Sequence, residues 1–251
     1  PGKTSALLAY LAVEAAHPHP RQALAALLWP ERSDVDALGA LRFALSNLRA
    51  VVHDRDATVP FLLIDRARVQ VNPQAEVWVD AVAFKARAAA LRERPAVVRE
   101  RPAALHERQS AWEIVLSVEA LRLALALYQG PFLQGFNLGD SLDFESWALR
   151  IRDELERERV RLLHMLGAYQ EAAGEPAQAA EAYRAILECR PWDEEAHRGL
   201  MRALAANGEY GAALAQYMAC RRALDDLGGE PGRATSALYQ RLNRAQDAPS
   251  V

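Results

Sequence analysis

Cysteine is scarce in this chain, and long apolar runs are absent. Cys189 and Cys220 are the only cysteines among 251 residues, and neither has a cysteine or histidine nearby at the spacing of a metal site. We therefore expect two buried thiols of a reducing compartment, and no disulfide, metal or cofactor. No apolar run approaches the roughly 20 residues that span a bilayer, and no signal peptide precedes Leu7. These absences predict a cytoplasmic protein.

The chain also lacks an excess of positive charge, since its net charge is −3. Residues 1–75 contain eight Lys and Arg against seven Asp and Glu, a net charge of +1, and the remainder carries −4. Charge alone therefore does not indicate nucleic-acid binding. Alanine, leucine and charged residues are abundant, which is typical of a mostly helical protein. The length suits two modest domains.

Three leucine-rich segments near the start predict three helices, over residues 7–16, 22–28 and 36–52. One face of the third segment is apolar at helical spacing, through Leu38, Leu41, Leu45, Leu48 and Val52. Ser33 or Asp34 can cap this helix. Three short helices with a turn before the last are the layout of a helix-turn-helix module, whose main use is reading DNA in the major groove.

Two short β-rich segments follow, over 61–65 and 69–72, with a turn at 66–68. They predict a β-hairpin, and a hairpin directly after a helix-turn-helix is the wing of a winged helix. Another helix is predicted over 81–92. Proline and charge dominate 92–109, where RERPA occurs twice, so this stretch is predicted to be a linker.

The second half of the chain repeats itself at an offset of 34 residues. The matching pairs are Gly174 with Gly208, Leu166 with Leu200, Ala179 with Ala213, and Tyr183 with Tyr217. This period is that of tetratricopeptide repeats, in which each repeat is a pair of helices and the aromatic residue fills the gap between pairs. Residues 141–173 predict one long or kinked helix ahead of them. Such repeats usually present a surface to a partner, although two or three can also be a packed core.

On the third predicted helix, the side away from the leucine stripe is the candidate DNA face. At 100° per residue, Phe43 and Asn47 lie opposite the stripe, and Arg42, Ser46 and Arg49 lie along one flank. Asparagine can bond adenine through two hydrogen bonds, and an apolar ring can touch a thymine methyl group. The two arginines can reach phosphates or guanine. The pattern therefore favours DNA contact by these five residues.

A second interpretation stays open for each side chain. The arginines of this helix can be solvated, or can pair with Asp36 or Asp54. Phe43 can pack under the wing or at a dimer contact. Arg66 and Arg68, at the predicted wing tip, can enter the minor groove, or they can belong to an ordinary polar turn.

The beginning of the chain also raises a nucleotide-binding hypothesis. The letters GKTS at 2–5, before a helix, resemble the tail of a phosphate-binding loop, and FLLID at 61–65 resembles the strand whose Asp holds magnesium. However, the upstream glycine is absent, and the intervening residues show no further strand for a parallel sheet. The six histidines form no metal constellation, and no catalytic Ser/His/Asp order stands out. We therefore expect no enzyme.

Seven phrases of the sequence occur together and in order in one family. They are LLAYLA (7–12), LLWPE (27–31), LRFALSNLR (41–49), VWVD (77–80), YQGPFLQGF (128–136), RPWDEEAHRGLMRALAANGEYGAALAQY (190–217) and LDDLGGEP (224–231). The chain resembles the SARP-type bacterial transcriptional activators, in which a winged helix of the response-regulator type precedes a bacterial transcriptional activator domain. The resemblance covers nearly the whole chain except about residues 92–112.

The resemblance implies binding to double-stranded DNA at direct repeats near promoters, a homodimer on DNA, and recruitment of RNA polymerase. It also implies that the indole N–H of Trp29 donates to a DNA phosphate, with simple packing of the ring at the turn as the alternative. The sequence departs from the family in two ways. It shows no small sheet before the first helix, and Phe43, Ser46 and Asn47 are less basic than the residues usual in family recognition helices.

We therefore predict a mainly α protein with a winged helix-turn-helix domain at 1–75. A connecting helix and linker follow at 76–110, and a tetratricopeptide-like activator domain at 111–247. The favoured function is a sequence-specific transcriptional activator, with 36–52 in the major groove and 61–72 at the minor groove. A protein-interaction scaffold without DNA binding is the alternative, because the first domain is nearly neutral. A fragment of a P-loop NTPase is a remote alternative.

Overall fold

The chain forms two compact units. The computed structural model describes residues 2–54, 56–93 and 107–247. Unit 1 comprises Pro1–Ala86 and Leu127–Glu156, and unit 2 comprises Arg87–Ala126 and Arg157–Val251. Unit 1 is thus built from two stretches that are distant in sequence. Over the described part of the chain, no helix is both long and apolar enough to cross a membrane.

Unit 1 begins with three helices: α1 (Lys3–Val13), α2 (Arg21–Leu28) and α3 (Asp34–Val51). The first begins earlier than predicted because the Gly2 carbonyl accepts the N–H groups that open the helix. The third is capped by Ser33, whose Oγ accepts the N–H of Asp36 at 3.3 Å. The three predicted helices are therefore present, with shifted ends.

The leucine stripes of these helices meet in one core. The fully buried leucines are Leu7, Leu11, Leu24, Leu28, Leu41 and Leu48. Each buried leucine contributes about 1.5–3 kcal/mol relative to an exposed one. Because the stripe of α3 faces this core, the opposite side of α3 must face solvent.

The wing is part of a three-stranded antiparallel sheet. Its strands are β1 (His19–Pro20), β2 (Leu62–Ile64) and β3 (Arg68–Val71), in the order β1-β3-β2. The predicted hairpin is β2 and β3. The strand β1 was not predicted, because two residues ending in proline show no alternation of apolar and polar side chains. Its pairing with β3 anchors the wing beside the start of α2.

The second stretch of unit 1 packs against the first through aromatic residues. It contains the beginning of α6 (Leu142–Ala172), a long helix that extends into unit 2, as predicted for 141–173. The Trp147 indole N–H donates to a Glu14 carboxylate oxygen at 2.9 Å, and its ring centroid lies 4.9 Å from that of Tyr10. The Ser141 hydroxyl also donates to the Leu27 carbonyl. The helix-turn-helix core is thus completed by residues from much later in the sequence.

Two helices flank the predicted linker. They are α4 (Asp80–Glu93) and α5 (Glu107–Leu125), so both ends of the 92–109 stretch are helical. Residues 94–106, which carry most of this prediction, lie outside the described residues.

Unit 2 continues with the helices α7 (Pro176–Cys189), α8 (Glu194–Ala206), α9 (Tyr210–Asp225) and α10 (Arg233–Asp247). Each packs against the next along the chain. The predicted repeat is visible at matching turns: Gly174 and Gly208 have φ of 75° and 83°. After them, the backbone N–H of Glu175 donates to the Gln170 carbonyl at 2.9 Å, and that of Glu209 donates to the Leu204 carbonyl at 2.8 Å. The same helix-ending hydrogen bond therefore recurs 34 residues later, and the mainly α, tetratricopeptide-like fold is confirmed.

The repeated aromatic positions fill gaps between helices. The Tyr183 ring lies against Gly167 and Gly199, where any side chain would collide with it. Tyr217, its equivalent in the next repeat, stacks on Tyr239 with ring centroids 4.2 Å apart. Because these two glycines have no side chain, the Tyr183 ring fills the gap between helices, as the repeat pattern predicts.

Candidate nucleic-acid interface

The outward face of α3 presents the side chains that the sequence singled out. Phe43 is 70% exposed, and Arg42, Ser46 and Asn47 are also exposed. Arg49 is half-buried in the last turn of the helix. The packing of the opposite side of α3 into the core thus points these side chains outward, although they are not part of the core.

Four arginines from three elements meet in one surface concavity of about 730 Å³ beside α3. They are Arg21 of α2, Arg42 of α3, and Arg66 and Arg68 of the wing. The structure therefore brings together recognition-helix and wing residues that lie far apart in sequence. We call these four residues the arginine cluster. Such a concentration of positive charge attracts a polyanion even when the unit as a whole is nearly neutral.

Arg21 is the residue that sequence reasoning missed. Its Nη1 donates to the Asp65 carbonyl oxygen at 3.2 Å, and its backbone N–H donates to Ala67 at 2.8 Å. The available signal was an arginine at the first position of a helix, directly after Pro20. Its approach to the wing depends on the pairing of β1 with β3, which two residues alone could not indicate.

The wing tip is held in a defined shape by Asp65. One of its carboxylate oxygens accepts the N–H groups of Ala67 and Arg68, at 2.6 and 2.7 Å. These two backbone hydrogen bonds lower the pKa of Asp65. An ordered turn loses less conformational freedom on binding. The backbone that carries Arg66 and Arg68 is therefore already in place before a ligand binds.

Arg49 pairs with Asp54, one of the two partners considered from the sequence. Its Nε donates to Asp54 at 2.7 Å. The second oxygen of Asp54 accepts the N–H of Leu62 at 3.0 Å and that of Phe61. Burial by itself would raise the pKa of Asp54, but the hydrogen bonds from Arg49, Leu62 and Phe61 outweigh it and lower the pKa. Arg49 is therefore an organised side chain, 36% exposed, and not a freely solvated one.

Trp29 lies in the core of unit 1 and is only 6% exposed. The ammonium group of Lys3 lies 5.8 Å from its ring centroid. This geometry favours the packing interpretation of the tryptophan. Its contact with a phosphate stays a prediction.

The lysine of the GKTS segment is already paired with acidic side chains. Lys3 pairs with Asp140 at 2.9 Å and with Glu31 at 3.7 Å, and it also donates to the Leu28 carbonyl. The FLLID segment lies in an antiparallel sheet. The magnesium-binding strand of a P-loop protein belongs to a parallel sheet, so this antiparallel pairing gives the nucleotide hypothesis no support.

The histidine, cysteine and acidic side chains of the described ranges are the candidate metal ligands. Within these ranges, no group of three or more His, Cys, Asp or Glu side chains could hold a metal ion. Cys189 and Cys220 do not form a disulfide, and burial raises the pKa of Cys220 to about 11. A high pKa keeps this thiol protonated and unreactive.

Comparison with known proteins gives the class of protein. The family model of the bacterial transcriptional activator domain matches residues 79–243, more than half of the chain. The chain therefore belongs to the bacterial transcriptional activator domain family. The resemblance to SARP-type transcriptional activators is thereby confirmed.

Among solved structures, the chain is similar to one described as Mycobacterium tuberculosis EmbR in complex with low affinity phosphopeptide. The two share 22% sequence identity with a TM-score of 0.71, over 99% of this chain and 60% of that chain. This chain thus spans 60% of the length of its structural relative, and at this identity the likeness concerns the fold. No curated protein matches the sequence.

Proposed function

We propose that the chain is a sequence-specific DNA-binding activator of transcription. Its helix α3 enters the major groove, and Arg66 and Arg68 contact the adjacent minor groove. Unit 2 provides the contact with a second protomer or with RNA polymerase, as the family resemblance implies. The observation that carries the proposal is the arginine cluster, because it joins α2, α3 and the wing on one side of the unit.

The positions of the basic side chains support this proposal better than the net charge of residues 1–75 does. Residues 1–75 contain eight basic side chains. Five of them lie around α3 and the wing: Arg21, Arg42, Arg49, Arg66 and Arg68. Phosphate contacts depend on the local potential, so this arrangement serves a polyanion despite the net charge of +1.

The remaining residues of the α3 face supply base reading. Asn47 carries the amide that can bond adenine, and the exposed ring of Phe43 can touch a thymine methyl group. Phosphate contacts fix the position of a protein on DNA, whereas base contacts give specificity. We therefore assign positioning to the arginine cluster and sequence preference to Phe43 and Asn47.

The test uses the whole chain and duplexes selected by it from random DNA. We expect the double variant Arg42→Ala plus Arg66→Ala to bind these duplexes at least about tenfold more weakly, with a smaller dependence of affinity on salt. The control is Arg150→Ala, which removes one exposed positive charge from α6, outside the arginine cluster. Undiminished binding by the folded double variant would reject the proposal.

A protein-interaction scaffold without DNA binding is the second candidate. It is favoured by Asp34 and Asp36, which place two carboxylates in the first turn of α3. These charges oppose the approach of phosphates to that end of the helix. The scaffold function predicts that the folded chain shows no salt-dependent binding to any selected duplex, so the same titration decides between the two candidates.

A further inference from the structure

The turn after α3 folds Asp54 back beside the helix. His53 has a φ of 52°, in the left-handed region that often closes a helix. The N–H of Asp54 donates to the Arg49 carbonyl at 2.9 Å, and that of His53 donates to Ala50 at 3.3 Å. These two hydrogen bonds form a Schellman motif. It returns the side chain of Asp54 to the last turn of the recognition helix.

The carboxylate of Asp54 then joins the helix to the wing. The side chain is 0% exposed, and one oxygen accepts from Arg49 while the other accepts from the N–H groups of Phe61 and Leu62. Leu62 is the first residue of β2. A buried carboxylate is stable only with such partners, so its three donors hold it in one orientation.

Arg49 consequently has a defined direction. The hydrogen bond to Asp54 uses one of the five N–H donors of a guanidinium group. The side chain borders a smaller concavity of about 170 Å³, which it shares with Arg21 and Arg42 of the arginine cluster. A guanidinium group that is already oriented loses little freedom when its outer nitrogens bind a phosphate.

We propose that Asp54 is a positioning residue of the DNA interface, which orients Arg49 toward a DNA phosphate. The proposal rests on the DNA-binding function proposed above. It makes a prediction opposite to that of simple charge repulsion. Removal of a carboxylate near DNA should strengthen binding if Asp54 acts only by its charge, but should weaken binding if Asp54 orients Arg49.

The experiment compares Asp54→Asn, Arg49→Gln and their double variant in the whole chain, with duplexes selected from random DNA as the probe. The asparagine keeps the size of the side chain and can still accept the N–H of Leu62. We expect each single variant to bind about tenfold more weakly. The slope of log affinity against log salt concentration should decrease by about one, which corresponds to one lost phosphate contact. The double variant should bind no more weakly than Arg49→Gln, because Asp54 acts through Arg49.

The matched control is Asp56→Asn. Asp56 is an exposed carboxylate in the same turn, so its removal changes the charge without changing the orientation of Arg49. We expect unchanged or slightly tighter binding. Thermal unfolding of every variant identifies those that remain folded.

Three results would overturn the proposal: unchanged or tighter binding by folded Asp54→Asn, additive losses in the double variant, or an unchanged salt dependence for Arg49→Gln. The salt dependence of Arg49→Gln remains decisive if Asp54→Asn does not fold. Failure of the DNA-binding function itself has a different signature, since the parent chain would then bind no duplex. If only the positioning role fails, the parent still binds, and Arg42→Ala plus Arg66→Ala still weakens it.

Discussion

Unit 1 and unit 2 are both largely helical, but different kinds of contact hold their helices together. In unit 2, α7, α8, α9 and α10 each pack against the next helix along the chain. In unit 1, the stretch Leu127–Glu156 completes a core that Pro1–Ala86 begins. The repeat unit therefore depends on local periodicity, whereas the unit that carries the candidate interface depends on contacts between distant residues.

The largest expected effect tests the distant contacts of unit 1. Trp147 is buried against Tyr10 and Phe144, with ring centroids 4.9 and 5.3 Å away, and it bonds Glu14. We expect Trp147→Ala to destabilise the chain by about 3–5 kcal/mol, because it leaves a cavity and removes the indole hydrogen bond to Glu14. Urea denaturation followed by circular dichroism measures this loss.

Trp192 provides the matched control in unit 2. It is 49% exposed, in the turn before α8. Trp192→Ala should change the free energy of unfolding by no more than about 0.5 kcal/mol. If Trp147→Ala also changed the free energy of unfolding by no more than about 0.5 kcal/mol, the contact between the two stretches of unit 1 would contribute little.

The next effect tests the local packing of unit 2. A Cβ at Gly199 would overlap the ring of Tyr183, and one at Gly167 would lie 2.6 Å from it. We expect Gly199→Ala to reduce the free energy of unfolding by about 1–3 kcal/mol, because the ring must move in a packed core. The measurement is again urea denaturation.

Gly211, in α9, provides the control, because alanine there changes the helix propensity without a collision. A Cβ there would meet nothing within 4 Å. Gly211→Ala should be neutral or should stabilise by up to about 1 kcal/mol, since alanine favours helix over glycine. If both substitutions stabilise the chain, the close approach of Gly199 to Tyr183 is not required by the fold.

The same contrast explains how much of the fold was predictable from the sequence. The repeat in unit 2 was visible because equivalent residues, such as Gly174 and Gly208, perform the same local task 34 residues apart. The helices of unit 1 were visible from their leucine stripes. The packing of Trp147 against α1 was not, because no local pattern records a contact across more than a hundred residues.

The candidate site also has features that the sequence predicts and others that depend on tertiary contacts. The outward direction of Arg42, Phe43 and Asn47 follows from helical periodicity and a buried stripe, so it could be predicted. The inclusion of Arg21 depends on the pairing of a two-residue strand. The choice of Asp54 as the partner of Arg49 depends on the left-handed turn after α3. These are tertiary outcomes that residue spacing does not specify.

A smaller effect concerns pH and lies in unit 2. His197 is 3% exposed, and it contacts the Pro191 carbonyl and the Gln216 amide. Burial lowers the pKa of His197, against the opposing influence of the Pro191 carbonyl, Asp193 and Glu194. The unfolded chain then binds a proton more readily than the folded chain. Stability is therefore fully present above a pH of about 6.5 and falls as the pH decreases toward the folded-state pKa, by at most about 1.4 kcal/mol per pH unit.

Denaturation at a series of pH values in the parent and in His197→Gln measures this contribution. The glutamine can still donate to the Pro191 carbonyl but does not titrate. Its stability should fall less steeply below a pH of about 6.5. Parallel pH profiles for the two proteins would exclude His197 as the source of the acid sensitivity.

The smallest expected effect returns to unit 1, at Gly39. This residue lies inside α3, on the same face as Arg42 and Ser46, and a Cβ there would meet nothing within 4 Å. Gly39→Ala should therefore stabilise the chain by about 0.5–1 kcal/mol, as measured by urea denaturation. If α3 lies deep in the major groove, the added methyl group should also weaken binding to the selected duplexes. Unfolding cannot explain weaker binding by a more stable variant, so that result would indicate close approach of DNA to the backbone of α3. Unchanged binding would show that DNA does not approach the backbone closely at this turn of α3.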